Sequence, residues 1–320
     1  MEILHVSISA NDNPISSLIR QMISIIICSR RSSIPDALRY NIEETIGVEH
    51  EIIVIDNSEK QHSLSSAYNA GVRLSQYPIL CFMHDDVLYH TKLWGLAVVN
   101  HFKDVNTGMI GVGGTRFLGS TPTIWWAGGM HLINHEHGTI CQYSIDTRRN
   151  DRNNSSLISI RPIDSNSIKV VALDGLWFCI PKRFFNFLHF DSELFENFHF
   201  YDLDISLQVF SAGYDVRVIY DILVEHISAS DHNIEWIKSC ERFYDKWKGA
   251  FPLSTVDLDS HQRELIEFEN LRYFLDILKT NRYLFSGLVH LPWTVHRRFL
   301  LYLLKKSNSF RKLNSIMKGS

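Results

Sequence analysis

Ile79-Leu80-Cys81-Phe82-Met83-His84-Asp85-Asp86-Val87 is an apolar run that passes without alternation into an imidazole and two carboxylates. Five apolar residues bounded by polar ones have the length and continuity of a strand buried on both faces, as in a parallel sheet. Open α/β sheets bind ligands just beyond the carboxyl ends of their strands. His84, Asp85 and Asp86 therefore fall where ligand chemistry is expected. Oxygen ligands with an imidazole suit Mg²⁺ or Mn²⁺. An Asp-rich turn or helix cap has the same composition, and this stretch alone leaves both readings open.

The segments before it repeat the pattern. Met22–Cys28 is rich in isoleucine and reads as a strand ending at Ser29-Arg30. A helix is expected from Ser33-Ile34-Pro35 to about Ile46, then a strand from His50 to Ile55 that ends in Asp56-Asn57-Ser58. Ser63–Leu74 reads as the next helix, with Asn69 and Gly71 inside it. Strands separated by helices of ten or so residues form βαβαβ, so the fold class is α/β with a mostly parallel, Rossmann-like sheet. Ser29-Arg30, Asp56-Asn57 and His84-Asp85-Asp86 line one rim of that sheet.

Further on, a helix is expected at Leu93–Phe102, a strand at Met109–Val112, and a hairpin through His131–Ile133 and Thr139–Tyr143. Residues 144–167 are rich in Asp, Asn, Arg and Ser and read as a mobile loop. Strands follow at Ser167–Leu173 and Trp177–Ile180, then a helix from Ile205 to Ala212, then strands leading to His226. Beyond about Asp231 the spacing turns helical. The chain divides on this reading into an N-terminal extension (1–21), an α/β domain (22–235) and a helical C-terminal region (236–320).

The composition bounds the class. The chain has 320 residues, 45% hydrophobic and 21% charged, enough for a substantial core. A net charge of −3 gives no basic footprint for nucleic acid. Five scattered cysteines without a C-x-x-C pair read as reduced thiols, which points to a cytoplasmic location. No apolar run reaches membrane-spanning length, and the first twenty residues have no basic segment of the secretory type.

In order and spacing, Ser24–Arg30, Ile53–Ser58, Ala67-Tyr68-Asn69-Ala70-Gly71, His84-Asp85-Asp86-Val87, Asp174-Gly175, Phe198–Asp204, Gly213-Tyr214 and His226 resemble GT-A fold glycosyltransferases of the family 2 type. Within these, the chain is most similar to a bacterial glycosyltransferase-like subgroup with a His-x-Asp-Val metal motif. The resemblance covers residues 22–230 and implies inverting transfer from a nucleotide-diphosphate sugar, UDP-linked by preference. It implies a divalent cation, Mn²⁺ or Mg²⁺, on Asp86, His84 and His226. Ser29, Arg30, Asp56, Asn69 and Asp85 would bind the donor, with Asn69 and Gly71 letting their helix approach the nucleotide. Asp174, Gly175, Trp177 and Asp204 would face donor sugar and acceptor, and Trp125 and Trp126 offer stacking faces. Asp202 takes the position of the family's general base, with Tyr201 where the family has Glu.

Each assignment has a plainer counterpart in the residues themselves. His84 and His226 are also ordinary hydrogen-bonders, Asp56-Asn57-Ser58 is also an Asx turn, and Asp202 and Asp204 are also helix-capping carboxylates. Residues 290–320 combine Arg297, Arg298, Lys305, Lys306, Arg311, Lys312 and Lys318 with leucines at helical spacing. Such a helix either rests on an inner-membrane surface, which would suit a lipid-linked saccharide acceptor and a surface-polysaccharide role, or docks on the domain. Two other function classes stand beside transfer. A nucleotidyltransferase would want a glycine-rich loop after the first strand, and Ser29–Ser33 has no glycine. A non-catalytic glycan-binding relative is suggested by the His84 and Tyr201 departures.

Overall fold

A computed structural model describes residues 22–133, 135–148, 151–228 and 232–283. The expected N-terminal extension and the basic segment 290–320 lie outside the described residues, as does most of the helix expected at 281–306. Among the described residues the first half runs β1 (Met22–Ser29), α1 (Asp36–Thr45), β2 (Glu49–Asp56), α2 (Leu64–Leu74), β3 (Ile79–Met83), β4 (Val87–Tyr89), α3 (Trp94–His101), β5 (Thr107–Gly111), β6 (Gly113–Thr115) and β7 (Phe117–Leu118). It continues through β8 (Ile140–Arg148), β9 (Asp151–Ile160), β10 (Ser167–Val170), β11 (Ala172–Leu173), β12 (Trp177–Pro181), α4 (Tyr201–Ser211), β13 (Asp215–Ile219) and β14 (Val224–Ser228). α5 (Ile234–Trp247), β15 (Leu253–Ser254) and α6 (Ser260–Thr280) close it.

The central sheet is mixed, in the order β10-β13-β5-β12-β3-β1-β2. β2, β1 and β3 are parallel, as the βαβαβ pattern requires, and β12 inserts antiparallel between β3 and β5. This is the mixed α/β arrangement expected of a GT-A domain. The central strands are predominantly apolar because both faces are covered. Ile23, Ile25, Ile27, Cys81 and Met83 pack with Leu38, Ile42, Trp94 and Val98 on one side. Ile26, Leu80 and Phe82 pack with Leu64, Tyr68, Ile205 and Val209 on the other. Each such buried side chain contributes roughly 1.5–3 kcal/mol. α2 lies so close to β1 that a Cβ on Gly71 would come within 2.2 Å of Ile26. Gly71 is therefore a packing glycine, not a route to a nucleotide.

A second sheet, ordered β11-β6-β8-β14-β4 with β9 on β8, stands over the rim. Here two expectations fail. His131 lies in a 3₁₀ turn (Met130–Leu132), not in a strand. Much of the expected mobile loop is the β8–β9 hairpin. Its polarity is that of an edge: residues 154–157 of β9 are exposed, while β8 is paired on both sides, to β6 and β14 as well as β9.

The boundary expected at residue 235 falls inside α5. α5 and α6 are not an appendage. Trp236, Ile237, Cys240, Phe243, Phe274 and Leu275 form one core with Phe200, Leu203 and Leu207. β15 pairs with β7, and buried Glu267 of α6 accepts from the Ser120 and Thr121 amides. Phe243, fully buried, holds this core together. Phe243→Ala should cost about 3–5 kcal/mol in denaturant unfolding. A chain ending at residue 235 should show no cooperative thermal transition.

Candidate active site

The rim is assembled by strand register. β14 runs antiparallel to β4 with His226 opposite Val87, which sets the imidazole beside Asp86. His226 Nε2 lies 3.5 Å from Asp86 Oδ1 and 3.4 Å from His84 Nδ1. The three residues offer ligand atoms that all lie within 4.8 Å of one another, from half-buried positions. Two imidazoles and a carboxylate fit a divalent transition-type cation such as Mn²⁺ better than Mg²⁺, which prefers oxygen alone. Burial, then the neighbouring His226, lowers the His84 pKa and keeps the ring neutral, the form that ligates.

β12 starts opposite the end of β3, Trp177 against Met83, so the turn before it enters the same rim. The His84 amide donates to Leu176 O (3.1 Å). Asp174 is held through both oxygens, by the Leu176 amide (2.9 Å) and the Trp125 indole N–H (2.8 Å). The Gly175 amide donates to Asp202 Oδ2 (2.8 Å), and Gly175 O accepts from the Tyr201 hydroxyl (3.0 Å). A Cβ on Gly175 would meet the Tyr201 hydroxyl at 2.0 Å, so only glycine fits.

α4 opens immediately after Phe200, whose φ of 65° is left-handed. That costs of order 1 kcal/mol for a residue with a Cβ. It is sustained by the Phe200 ring packing on Trp236 and Phe243, each 5.3 Å between centroids. The reversal aims Tyr201 and Asp202 back at the rim. Withdrawal from water, then the Asp174 carboxylate, pushes the Asp202 pKa up to about 7. A carboxylate poised there is suited to taking a proton at neutral pH.

Ser29 Oγ donates to Asp85 Oδ2 (2.8 Å), and Ser29 sits beside Asp56 in the β1–β2 register. Arg30 and Asp56 are exposed at this edge. Asp56 does make the Asx turn, accepting from the Ser58 amide (2.9 Å), which also lowers its pKa. The structure thus gathers Ser29, Arg30, Asp56, His84, Asp85, Asp86, Asp174, Gly175, Asp202 and His226 along one rim.

Three expected contacts are absent from it. Asn69 uses both ends of its amide on the Phe190 backbone, donating at 2.7 Å and accepting at 3.1 Å. Trp177 is fully buried in the sheet core and donates to the Tyr89 hydroxyl at 2.8 Å. β12 opens at the rim with its first side chain turned inward, which the aromatic type does not reveal. Asp204 is 1% exposed, facing Lys246 (2.8 Å), Trp247 Nε1 (2.8 Å) and Gln208 (2.9 Å). It braces α4 against α5. Conversely, Trp125 and Tyr201 make hydrogen bonds at the site that side-chain type alone does not disclose. Trp126 packs on Tyr273 instead.

A family model described as a glycosyltransferase like family matches residues 24–247. The chain belongs to this glycosyltransferase-like family. The match ends at Trp247, past the expected boundary, where α5 ends. Among solved structures, "Crystal Structure of A197 from STIV" aligns at TM-score 0.38 and 9% identity, covering 65% of this chain and 86% of that one. "Crystal structure of GalNAc-T7 with UDP, GalNAc and Mn2+" aligns at TM-score 0.45 and 13% identity, covering 85% of this chain and 58% of that one. The glycosyltransferase-like chain therefore spans less than two thirds of the latter's length. No curated protein matches it.

The two neighbouring aspartates should behave oppositely on mutation. Asp202 has a folded pKa of about 7, well above the usual carboxylate value of about 4, so folding takes up a proton between the two. Its ionisation then costs stability as pH rises from about 4 to 7, and the cost is complete above 7. In chelator, Asp202→Asn should raise the melting temperature at pH 8 and leave it nearly unchanged at pH 4. Asp204→Asn should lower stability at pH 8 by about 1.5–3 kcal/mol, because it weakens the charge-assisted hydrogen bonds of a buried carboxylate while Lys246 keeps Asp191 as a partner. Thermal melts at the two pH values check both.

Proposed function

We propose that this family member is an inverting glycosyltransferase of the hexosyltransferase class. It moves a sugar from a nucleotide-diphosphate sugar, UDP-linked by preference, to a saccharide or lipid-linked saccharide acceptor. One observation carries the reading: the His84, Asp86 and His226 cluster meets, along one rim, the Asp202 carboxyl, whose pKa burial and Asp174 push up to about 7.

A divalent cation held by His84, Asp86 and His226 would neutralise the charge that builds on a departing diphosphate. The chain's own groups do the rest. Arg30 and Asp56, exposed at the ends of β1 and β2, would face the nucleoside, with Asp56 accepting from a base N–H. Asp85, steadied by Ser29, would take donor ribose or sugar hydroxyls. Asp174 and Gly175 would border the acceptor. Asp202 would accept the proton of the acceptor hydroxyl as its oxygen bonds the anomeric carbon and the bond to the diphosphate breaks. Attack from the face opposite the leaving group inverts the anomeric centre.

The same reading extends to a role in surface-polysaccharide synthesis at the cytoplasmic face. Its support there is the basic, leucine-rich composition of residues 290–320. No helix among the described residues is long and apolar enough to cross a membrane.

Incubation with a panel of nucleotide sugars, with Mn²⁺ or with chelator, should release nucleoside diphosphate from one donor class only when Mn²⁺ is present. Asp202→Asn should lower kcat by about 10²–10⁴-fold with little change in donor KM. Absence of both transfer and donor hydrolysis across the panel would remove the proposal.

A further inference from the structure

We infer that the Tyr201 hydroxyl is a positioning group that sets the tautomer of His84, so that His84 Nδ1 is presented as a ligand atom to a divalent cation. The inference rests on reading His84, Asp86 and His226 as a cation site.

Tyr201 Oη lies 3.0 Å from Gly175 O and 3.0 Å from His84 Nε2. A phenol has one proton to donate, and a carbonyl can only accept. The hydroxyl therefore donates to Gly175 O and accepts from His84, which places the imidazole proton on Nε2. In a neutral imidazole the other nitrogen then carries the lone pair. That nitrogen, Nδ1, faces His226 Nε2 at 3.4 Å, inside the cluster completed by Asp86. In the opposite tautomer Nδ1–H would point into the cluster, and the phenol proton would be shared between Gly175 O and Nε2. Metal-bound imidazoles generally donate their second N–H to a partner that fixes ring and tautomer.

The hydroxyl is itself held in place. The Tyr201 ring packs edge-on against Tyr68, 5.5 Å between centroids, and the missing Cβ of Gly175 makes room for the oxygen. The side-chain chemistry also accounts for a tyrosine at position 201. Between a carbonyl and an imidazole N–H, a group that both donates and accepts is satisfied on each side. A carboxylate would set its lone pairs against the Gly175 carbonyl.

Tyr201→Phe keeps the ring and removes only the hydroxyl. Mn²⁺ binding to the full chain, followed by electron paramagnetic resonance, should weaken by about 10–100-fold in Tyr201→Phe and be abolished in His84→Ala. Long-range ¹H–¹⁵N spectra of the metal-free wild type should show His84 protonated at Nε2, and Tyr201→Phe should show both tautomers. A purely structural role would lower the melting temperature and leave both readouts unmoved. Wild-type Mn²⁺ affinity in Tyr201→Phe, or an Nδ1–H tautomer in the wild type, would overturn the inference and leave the cation site standing. Failure of the wild type to bind Mn²⁺ would overturn both, and it shows before any variant is made.

Discussion

Residues 86 and 226 meet because two short strands pair antiparallel in one register. β4 is three residues long, and His226 of β14 lies opposite its first residue, Val87. A slip of one residue would turn His226 to the other face of its sheet, where Glu225 now bonds Thr147 and His90. The cluster thus depends on a backbone pairing remote in sequence. That pairing depends in turn on β8, which holds β14 from its other side. The polar β8–β9 hairpin consequently supports the site.

Burial separates two carboxylates that stand two positions apart on one helix. Asp204 is sealed against Lys246 and Trp247, where its charge is matched and its role is mechanical. Asp202 is withdrawn from water beside a like charge at Asp174, and together these outweigh the hydrogen bond from the Gly175 amide, so its charged form is disfavoured. Opposite environments give one a bracing role and the other a proton affinity useful at neutral pH. α5 supplies the partners of Asp204 and the aromatic rings under Phe200. The C-terminal helices therefore help aim the start of α4. That explains physically why the catalytic fold does not stop at residue 235.

Much of the architecture is legible in composition and period. Uninterrupted apolar runs such as Ile79–Met83 signal strands covered on both faces, and polar residues at their ends mark the rim. His84, Asp85, Asp86 and Asp202 could be named from those signals together with the family resemblance. The hairpin at 140–160 could not. An edge strand with a solvent face needs few apolar residues, so its composition matches that of a loop. Asn69 and Trp177 were legible as residues but not as roles, because an amide that clamps a backbone has the same letters as one that binds a ligand.

By itself the sequence determined the α/β order, the carboxyl-end rim and the chemical types available on it, since local periodicity and strand termini depend on neighbours in the chain. Only the tertiary structure decided which groups share a site. It set His226 against Asp86, turned Trp177 and Asp204 inward, and put the Tyr201 hydroxyl between Gly175 O and His84 Nε2. Those outcomes follow from register, burial and proton count among residues up to 142 positions apart, which no local pattern encodes.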